Sequence, residues 1–181
     1  MTDEVLRCPH CRDATRWYWR KHRWIKTNAV AYGRDVEAAF VVYALCSANA
    51  SVDENDKNFL RWCRGEEVRH FGSILARVAA ADSGDLAGAL SFKAGLKIVS
   101  FRENLRFPWR KYSLPTIDRH AADAVTGDRR ESKNWLARKN GYLELARIYV
   151  LQAAVLGLRP SEWQARVWVH QTVCKSLEAV S

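Results

Sequence analysis

The stretch AAFVVYALC, residues 38–46, is apolar at nearly every position. A helix with one apolar stripe lies at a protein surface, whereas a helix that is apolar on all sides is buried. We therefore predict that this segment is the central helix of a helical core. A second run, YVLQAAVLGL at residues 149–158, predicts another buried core helix. It is about half as long as the roughly 18 apolar residues that cross a bilayer.

Polar residues that can begin a helix stand close to these runs. Asn28 fits the N-cap of the helix that contains residues 38–46, and Asp53 fits the N-cap of the next helix. Thr116 and Ser161 stand in the same way before two later helical patterns. Almost no segment alternates apolar and polar residues as a half-buried strand does. The sequence therefore predicts an all-α fold with about seven or eight helices of ordinary length.

Residues 1–26 differ in composition from residues 27–181, and we predict a basic, aromatic N-terminal arm followed by one compact helical domain. The arm contains RWYWRKHRWIK at residues 16–26, in which aromatic and basic residues are interleaved. Such side chains, Trp19 among them, can stack on single-stranded bases and grip phosphates. The tryptophans can equally wrap the core as a hydrophobic clamp. The sequence favours neither interpretation.

The chain has 29 lysine and arginine residues against 20 aspartate and glutamate residues, a formal net charge of +9. This excess favours a polyanionic partner, and we expect DNA and no membrane. Charge that serves only solubility is the alternative. The N-terminus, MTDEVLRCPH, lacks the apolar region of a secretory signal, and five cysteines without regular spacing do not predict a disulfide framework. We therefore expect a cytoplasmic protein.

Basic residues form two clusters on either side of residue 118. Arg102 and Arg106 are four residues apart and share a helix face. The second cluster is GDRRESKNWLARK, residues 127–139. Each cluster alone is typical of a solvated surface, whereas two together suit a phosphate backbone. The first cluster consists of Lys93, Lys97, Arg102, Arg106, Arg110 and Lys111, with Glu103 as its one acid.

The N-terminal sequence CPHC, residues 8–11, has the spacing of half a zinc site. Cys8 and Cys11 are therefore candidate zinc ligands. The other half is not evident from the sequence; His22 could supply one ligand, and Cys46 or Cys63 another. A pair of reduced surface thiols is the alternative.

The segment PTIDRHAADAV, residues 115–125, puts a lone acid, Asp118, at the start of a helical pattern. It follows a glycine turn and a helix that begins GLK at residues 95–97. This order of parts resembles the helix-hairpin-helix DNA glycosylase superfamily. The stretch from Asn28 to Thr172, about four-fifths of the chain, is also similar to a group of small phage-encoded relatives of these enzymes. The stretches shared with them are ALCSANASVDEN (44–55), GLKIVSFRENL (95–105), TIDRHA (116–121) and LRPSEWQARVW (158–168).

The resemblance implies a role for several residues. Gly95 matches a glycine of the hairpin that presents backbone amides to a DNA phosphate, and Lys97 matches the lysine of the bifunctional members. Asp118 matches the catalytic acid, and His120 matches the histidine two residues after it. The chain departs from the family where Lys93 and Ala94 replace the first hairpin glycine. It also lacks the four-cysteine iron–sulfur loop, so we expect no such cluster.

A carboxylate and an amine suit the chemistry of N-glycosidic cleavage. The carboxylate stabilises an oxocarbenium-like transition state and can deprotonate a nucleophile. A lysine amine can form a Schiff base with the sugar. We therefore predict a DNA glycosylase that acts on a modified or damaged base, with Asp118 and Lys97 in one cleft. A transferase that modifies a pyrimidine in phage DNA, or a non-catalytic DNA-binding protein of the same fold, is the alternative.

Four amide side chains are candidate contacts to an extruded base, because amides and aromatic rings together can read and stack it. Helix capping and satisfaction of buried backbone groups is the alternative role. These residues are Asn49, Asn55, Asn104 and Gln164.

Overall fold

The computed structural model describes residues 2–91 and 95–174, and every regular element in those residues is helical. The predicted all-α fold is therefore confirmed. Lys93 and Ala94 lie outside the described residues. The helices are α1 (Thr2–Arg7), α2 (Pro9–Asp13), α3 (Trp17–Ala31), α4 (Val36–Cys46), α5 (Val52–Cys63), α6 (Gly72–Asp82), α7 (Leu86–Ala89), α8 (Gly95–Arg106), α9 (Arg119–Thr126), α10 (Arg129–Ala137), α11 (Gly141–Val155) and α12 (Pro160–Val169), with a 3-10 turn at Ala14–Arg16 and a π-helical turn at His170–Cys174.

The chain forms two compact units. The middle unit is Arg20–Arg106, and the terminal unit combines Met1–Trp19 with Phe107–Ser181. The chain passes from one unit to the other inside α3. The interleaved basic and aromatic residues 17–26 lie in the first part of α3.

In the middle unit, α4 is the core helix. All residues from Ala38 to Cys46 are buried, and α4 packs against α5, α6, α7 and α8. This confirms the prediction from its composition. The helix begins later than predicted, because the side chain of Asp35 accepts a hydrogen bond from the backbone nitrogen of Ala38 at 2.7 Å. Asn28 is not an N-cap, since it lies inside α3 and donates to the Trp24 carbonyl at 2.8 Å.

Three other predicted caps are also displaced by a few residues. Helix α5 is capped by Ser51, which forms a reciprocal capping box with Glu54, and not by Asp53. Asp118, and not Thr116, caps α9. Helix α12 begins with a proline at its first position, and Ser161 is buried in its first turn. Several polar residues precede each of these helices, and local spacing does not decide among them.

A polar network connects Tyr43 of α4 with Asp56 of α5 and Lys21 of α3. The hydroxyl of Tyr43, which is fully buried, donates to Asp56 Oδ1 at 2.6 Å. The ammonium of Lys21 donates to the two oxygens of Asp56 at 2.8 and 2.7 Å. It also lies over the rings of Trp24 and Tyr43 at 4.6 and 5.4 Å. Burial, and then the negative charge of Asp56, raises the pKa of Tyr43 strongly, so its hydroxyl remains a donor.

In the terminal unit, α12 is the central element. It packs against α2, the 3-10 turn, α9 and α11, and Trp163 on α12 is fully buried. Helix α11 is buried on one face through Leu145 and Tyr149, but Leu151 and Val155 are exposed. The prediction of a buried core helix is thus correct for only one of its faces.

Among the described residues, no single helix is both long and apolar enough to cross a membrane; by length and composition alone, Gly141–Val155 and Pro160–Cys174 pass together, as a pair bent by 102°.

We expect Tyr43→Phe to lower the free energy of unfolding by about 1.5 kcal/mol, because it removes a buried hydrogen bond to a charged acceptor. Urea unfolding followed by circular dichroism measures this change. Tyr112→Phe is the control, since Tyr112 is 84% exposed, and it should leave the midpoint unchanged. Equal unfolding midpoints for both variants would contradict a stabilising contribution of the Tyr43 hydrogen bond.

Candidate functional site

The loop before α9 is held tightly in the terminal unit. Pro115, Thr116 and Ile117 are buried. The hydroxyl of Tyr142 on α11 donates to the Pro115 carbonyl at 3.0 Å and accepts from the Ile117 backbone nitrogen at 3.1 Å. One side chain thus satisfies two buried backbone groups, and the loop has little freedom to move.

A second group holds the same loop from the N-terminal part of the chain. The hydroxyl of Tyr18 donates to Gln164 Oε1 at 2.9 Å and lies 3.1 Å from Thr116 Oγ1. All three residues are buried. Gln164 is therefore engaged in a structural network, which supports the second of the two roles that the sequence leaves open for it.

Asp118 is the half-buried residue that this loop presents, and both of its carboxylate oxygens accept hydrogen bonds. Oδ1 accepts from the Ala121 backbone nitrogen at 2.8 Å, which makes Asp118 the N-cap of α9. Oδ2 accepts from Trp168 Nε1 on α12 at 3.1 Å. Each oxygen has a second lone pair. The carboxylate is thus fixed in orientation and can still contact a further group.

Tyr149 on α11 lies close to this carboxylate. Its hydroxyl donates to the Ala121 carbonyl at 2.9 Å. Burial raises the pKa of Tyr149, and the charge of Asp118 raises it further. Tyr149 therefore stays neutral and supports the first turn of α9. The sequence did not reveal the contact of Trp168 with Asp118, since 50 residues separate the two.

The terminal unit also contains an exposed loop of basic and aromatic residues directly before Asp118 in the chain. In this loop, Trp109 is 48% and Tyr112 is 84% exposed, and the guanidinium of Arg110 lies 3.8 Å from the Phe107 ring centroid. The half-buried Trp19 contacts Trp109 with ring centroids 5.8 Å apart. Trp19 is thus paired with an aromatic ring of this loop. His120, on α9, is half-buried.

The candidate hairpin residues belong to the middle unit. Gly95 has a φ of +73°, which agrees with a turn at the start of α8 and favours glycine there. Lys97 is half-buried on α8. Because Lys97 and Asp118 belong to different units, their meeting in one cleft stays a prediction.

Arg102 and Arg106 share the acid Glu37 within the middle unit. Arg102 Nη2 lies 3.3 Å from Glu37 Oε2, and Arg106 Nε lies 2.6 Å from the same oxygen. Arg102 also pairs with Glu103. A DNA phosphate would have to compete with these carboxylates, so the two arginines are less available for it than the sequence suggests.

The three asparagine candidates of the middle unit differ in exposure. Asn55 and Asn104 are buried, and Oδ1 of Asn55 has no hydrogen-bond partner among the described residues. Asn49 is exposed in the turn between α4 and α5.

Three thiols of the terminal unit form a cluster that could hold a metal ion. Their sulfur atoms lie within 4.8 Å of one another. The sulfur of Cys174 is 3.4 Å from that of Cys8 and 3.7 Å from that of Cys11. Cys8 and Cys11 were expected from their spacing, but Cys174 was not. The predicted further ligand His22 belongs to the middle unit, where its Nδ1 is bonded to the Leu105 carbonyl at 2.9 Å.

The thiols differ in acidity. A hydrogen bond from the Cys11 backbone nitrogen lowers the pKa of Cys8, whereas burial raises the pKa of Cys11. Burial alone raises the pKa of Cys46 to about 12 and, as the largest cause, that of Cys63 to about 11. Cys46 and Cys63 are thus unreactive core thiols, and within the cluster Cys8 loses its proton before Cys11.

The fold and the two groups of residues together define an all-helical protein with an oriented half-buried acid and a thiol cluster. Residues 9–175 match the model of DUF7178, a family of unknown function, and the chain belongs to that family. No curated protein and no solved structure matches the chain.

We expect Asp118→Ala to lower the free energy of unfolding by about 1–2 kcal/mol, because the α9 cap is lost. Asp118→Asn should cost clearly less, since asparagine caps helices about as well as aspartate. Urea unfolding of both variants measures the difference. The expectation fails if the two substitutions are equally costly.

Proposed function

We propose that this protein acts on a base in DNA as a glycosylase, with Asp118 as the essential acid. The observation that carries the proposal is the placement of Asp118. Two donors orient its carboxylate at the start of α9, and the residue is half-buried in a unit that also carries an exposed basic and aromatic loop. An acid held in one orientation stabilises a developing positive charge without reorganising.

In this mechanism, Asp118 would stabilise the positive charge that develops at the sugar C1′ as the base departs. The same carboxylate would accept a proton from the attacking water or amine. Trp168 and the Ala121 amide would keep the carboxylate aligned during these steps. Since a stacked base is out of reach, the enzyme would have to extrude its target nucleotide from the duplex.

The exposed loop supplies the DNA contact in this proposal. Arg110 and Lys111 would bind phosphates, and the rings of Trp109 and Tyr112 would stack on unpaired bases. The exposed basic residues Arg129, Arg130 and Lys133 on α10 would add to the positive surface of the same unit.

A non-catalytic DNA-binding protein is the second candidate, because capping α9 already gives Asp118 a structural role. Substitution by asparagine separates the two functions, since it keeps the cap and removes the charge.

We expect Asp118→Asn to abolish base excision, with little change in DNA affinity. Wild-type protein and variant are incubated with duplex oligonucleotides that carry a panel of modified bases, and abasic sites are counted after cleavage by alkali. Asp128→Asn is the matched control, because Asp128 caps α10 in the same way through the Glu131 backbone nitrogen at 2.7 Å. Excision that survives in Asp118→Asn would remove Asp118 from the mechanism.

The role of Lys97 is tested in the same assay. With borohydride present, a lysine nucleophile leaves a covalent protein–DNA adduct, and Lys97→Ala should lose it. Lys139→Ala, at an exposed position of the terminal unit, should keep it. An adduct that persists without Lys97 would assign the amine to another residue.

We further propose that the thiol cluster binds zinc as a structural ion. Tetrahedral Zn–S bonds of about 2.3 Å place ligand sulfurs about 3.8 Å apart, close to the sulfur–sulfur distances of 3.4 and 3.7 Å in the cluster. A fourth ligand would complete the tetrahedron. Buried His170 is four residues before Cys174. Neither of its ring nitrogens has a hydrogen-bond partner among the described residues, and its Nε2 lies 3.8 Å from Glu4 Oε2.

We expect about one zinc ion per chain in protein purified without chelator, because three thiolates that lie this close together favour the ion. Elemental analysis measures the content. Cys174→Ser should lose the metal and lower the melting temperature, whereas Cys63→Ala should keep the metal. Loss on His170→Ala but not on His10→Ala would identify the fourth ligand. Equal zinc content in wild type and Cys174→Ser would reject the site.

A further inference from the structure

We propose that the middle unit contains a second binding site, which takes the phosphate and the base of a nucleotide. It is a pocket of about 530 Å³ between the α4–α5 turn and the loop that joins α5 to α6. Pockets for small ligands commonly have volumes of about 300–1,000 Å³. None of the residues that line it acts in the mechanism proposed for Asp118, so this site goes beyond that function.

One wall of the pocket is preformed. The side chain of Asn58 donates to the Arg69 carbonyl and accepts from the Arg69 backbone nitrogen, each at 3.1 Å. Asn58 is buried on α5. This pair of hydrogen bonds ties the α5–α6 loop to a helix, so the loop residues have a defined position before any ligand binds.

The lining is positively charged. Arg61 and Arg69 line the pocket, and neither forms an ion pair among the described residues. The one acid of the lining, Glu54, is engaged by Ser51 in the capping box of α5. Lys57 adds a further cation, although it also pairs with Asp53 at 2.6 Å. Two guanidiniums without a carboxylate partner are suited to bind a phosphate.

The α4–α5 turn contributes to the lining a residue with an uncommon backbone conformation. Asn49 has a φ of +57°, the only positive value for a non-glycine residue among those described. Residues held in the left-handed region concentrate at binding sites, where the surrounding structure compensates for the strain. The turn at Asn49 lies in ALCSANASVDEN (44–55), whose role the Asp118 mechanism does not explain. Its exposed amide can donate to a phosphate or to a base edge.

An aromatic ring completes the site. Phe71 lines the pocket and is 63% exposed. A phenylalanine ring with this exposure contributes little hydrophobic free energy to folding. The ring of His70 lies beside it, with centroids 5.3 Å apart. An exposed aromatic face next to cations is the arrangement that stacks a nucleobase while its phosphate is bound. Base and phosphate together indicate a nucleotide in preference to an inorganic anion.

The nucleotide could be a free molecule or part of a DNA strand, and calorimetric titration at low ionic strength distinguishes the two sources. The probes are thymidine 5′-monophosphate, inorganic phosphate and a pentathymidylate without a terminal phosphate. Tighter binding of the monophosphate assigns the site to a free nucleotide, and tighter binding of the pentathymidylate assigns it to a DNA phosphodiester. Failure of all three to bind overturns the proposal.

Variants locate the binding. We expect Arg69→Ala and Arg61→Ala each to weaken monophosphate binding about tenfold, as for loss of one charged hydrogen bond. Arg64→Ala is the matched control, since it removes the same charge from a residue outside the pocket. Equal weakening by all three would show a bulk charge effect and overturn the proposal.

Two further variants test the amide and the ring. Asn49→Gly keeps the left-handed turn and removes the amide, and it should weaken binding. Phe71→Leu should weaken the binding of the nucleotide but not the binding of inorganic phosphate. An unchanged nucleotide affinity would overturn the stacking role. The Asp118→Asn variant should bind the nucleotide like the wild type. Failure of the excision proposal and failure of this pocket proposal can therefore be distinguished.

Discussion

The terminal unit depends on the packing of the first nineteen residues of the chain against residues that follow Phe107. Val5 and Cys11 share one buried cluster with Trp163 and Val167 of α12. At the edge of the cluster, Arg166 Nε donates to Thr15 Oγ1 at 2.8 Å. Helices as short as α1 and α2 are not stable alone. The packing of α2 on α12 and of α1 on α2 therefore stabilises both helices and completes the core of the unit.

The same packing positions the chemistry. Tyr18 reaches Gln164 and Thr116 and thereby holds the loop before Asp118, while Trp168 of α12 fixes the carboxylate. The thiol cluster joins the same two parts of the chain, since Cys8 and Cys11 belong to the first nineteen residues and Cys174 follows α12. A metal ion bound by these thiols would strengthen the attachment between the two parts of the chain.

Several features could be read from the sequence because they are local. The apolar character of residues 38–46 predicts a buried α4, the two-residue spacing predicts the pair Cys8 and Cys11, and an acid before a helical pattern predicts Asp118 at the start of α9. The predicted caps at Asn28 and Asp53 failed for a physical reason. Asn28 lies inside α3, which continues to Ala31, so α4 begins only after the turn at Gly33 and is capped by Asp35. Ser51 stands two residues before Asp53 and caps α5 in its place.

By itself the sequence determined the helical class, the core helix α4, the acid at a helix start and two of the three thiols in the cluster, because each depends on residues within a turn or two of one another. Only the tertiary structure decided that Cys174 completes the cluster and that Trp168 donates a hydrogen bond to Asp118. It also decided that Glu37 forms ion pairs with Arg102 and Arg106, and that Asn49 and Arg69 line one pocket. These contacts join residues that are distant in the chain. They arise when whole helices bury their apolar faces, and helical periodicity carries no information about which faces will meet.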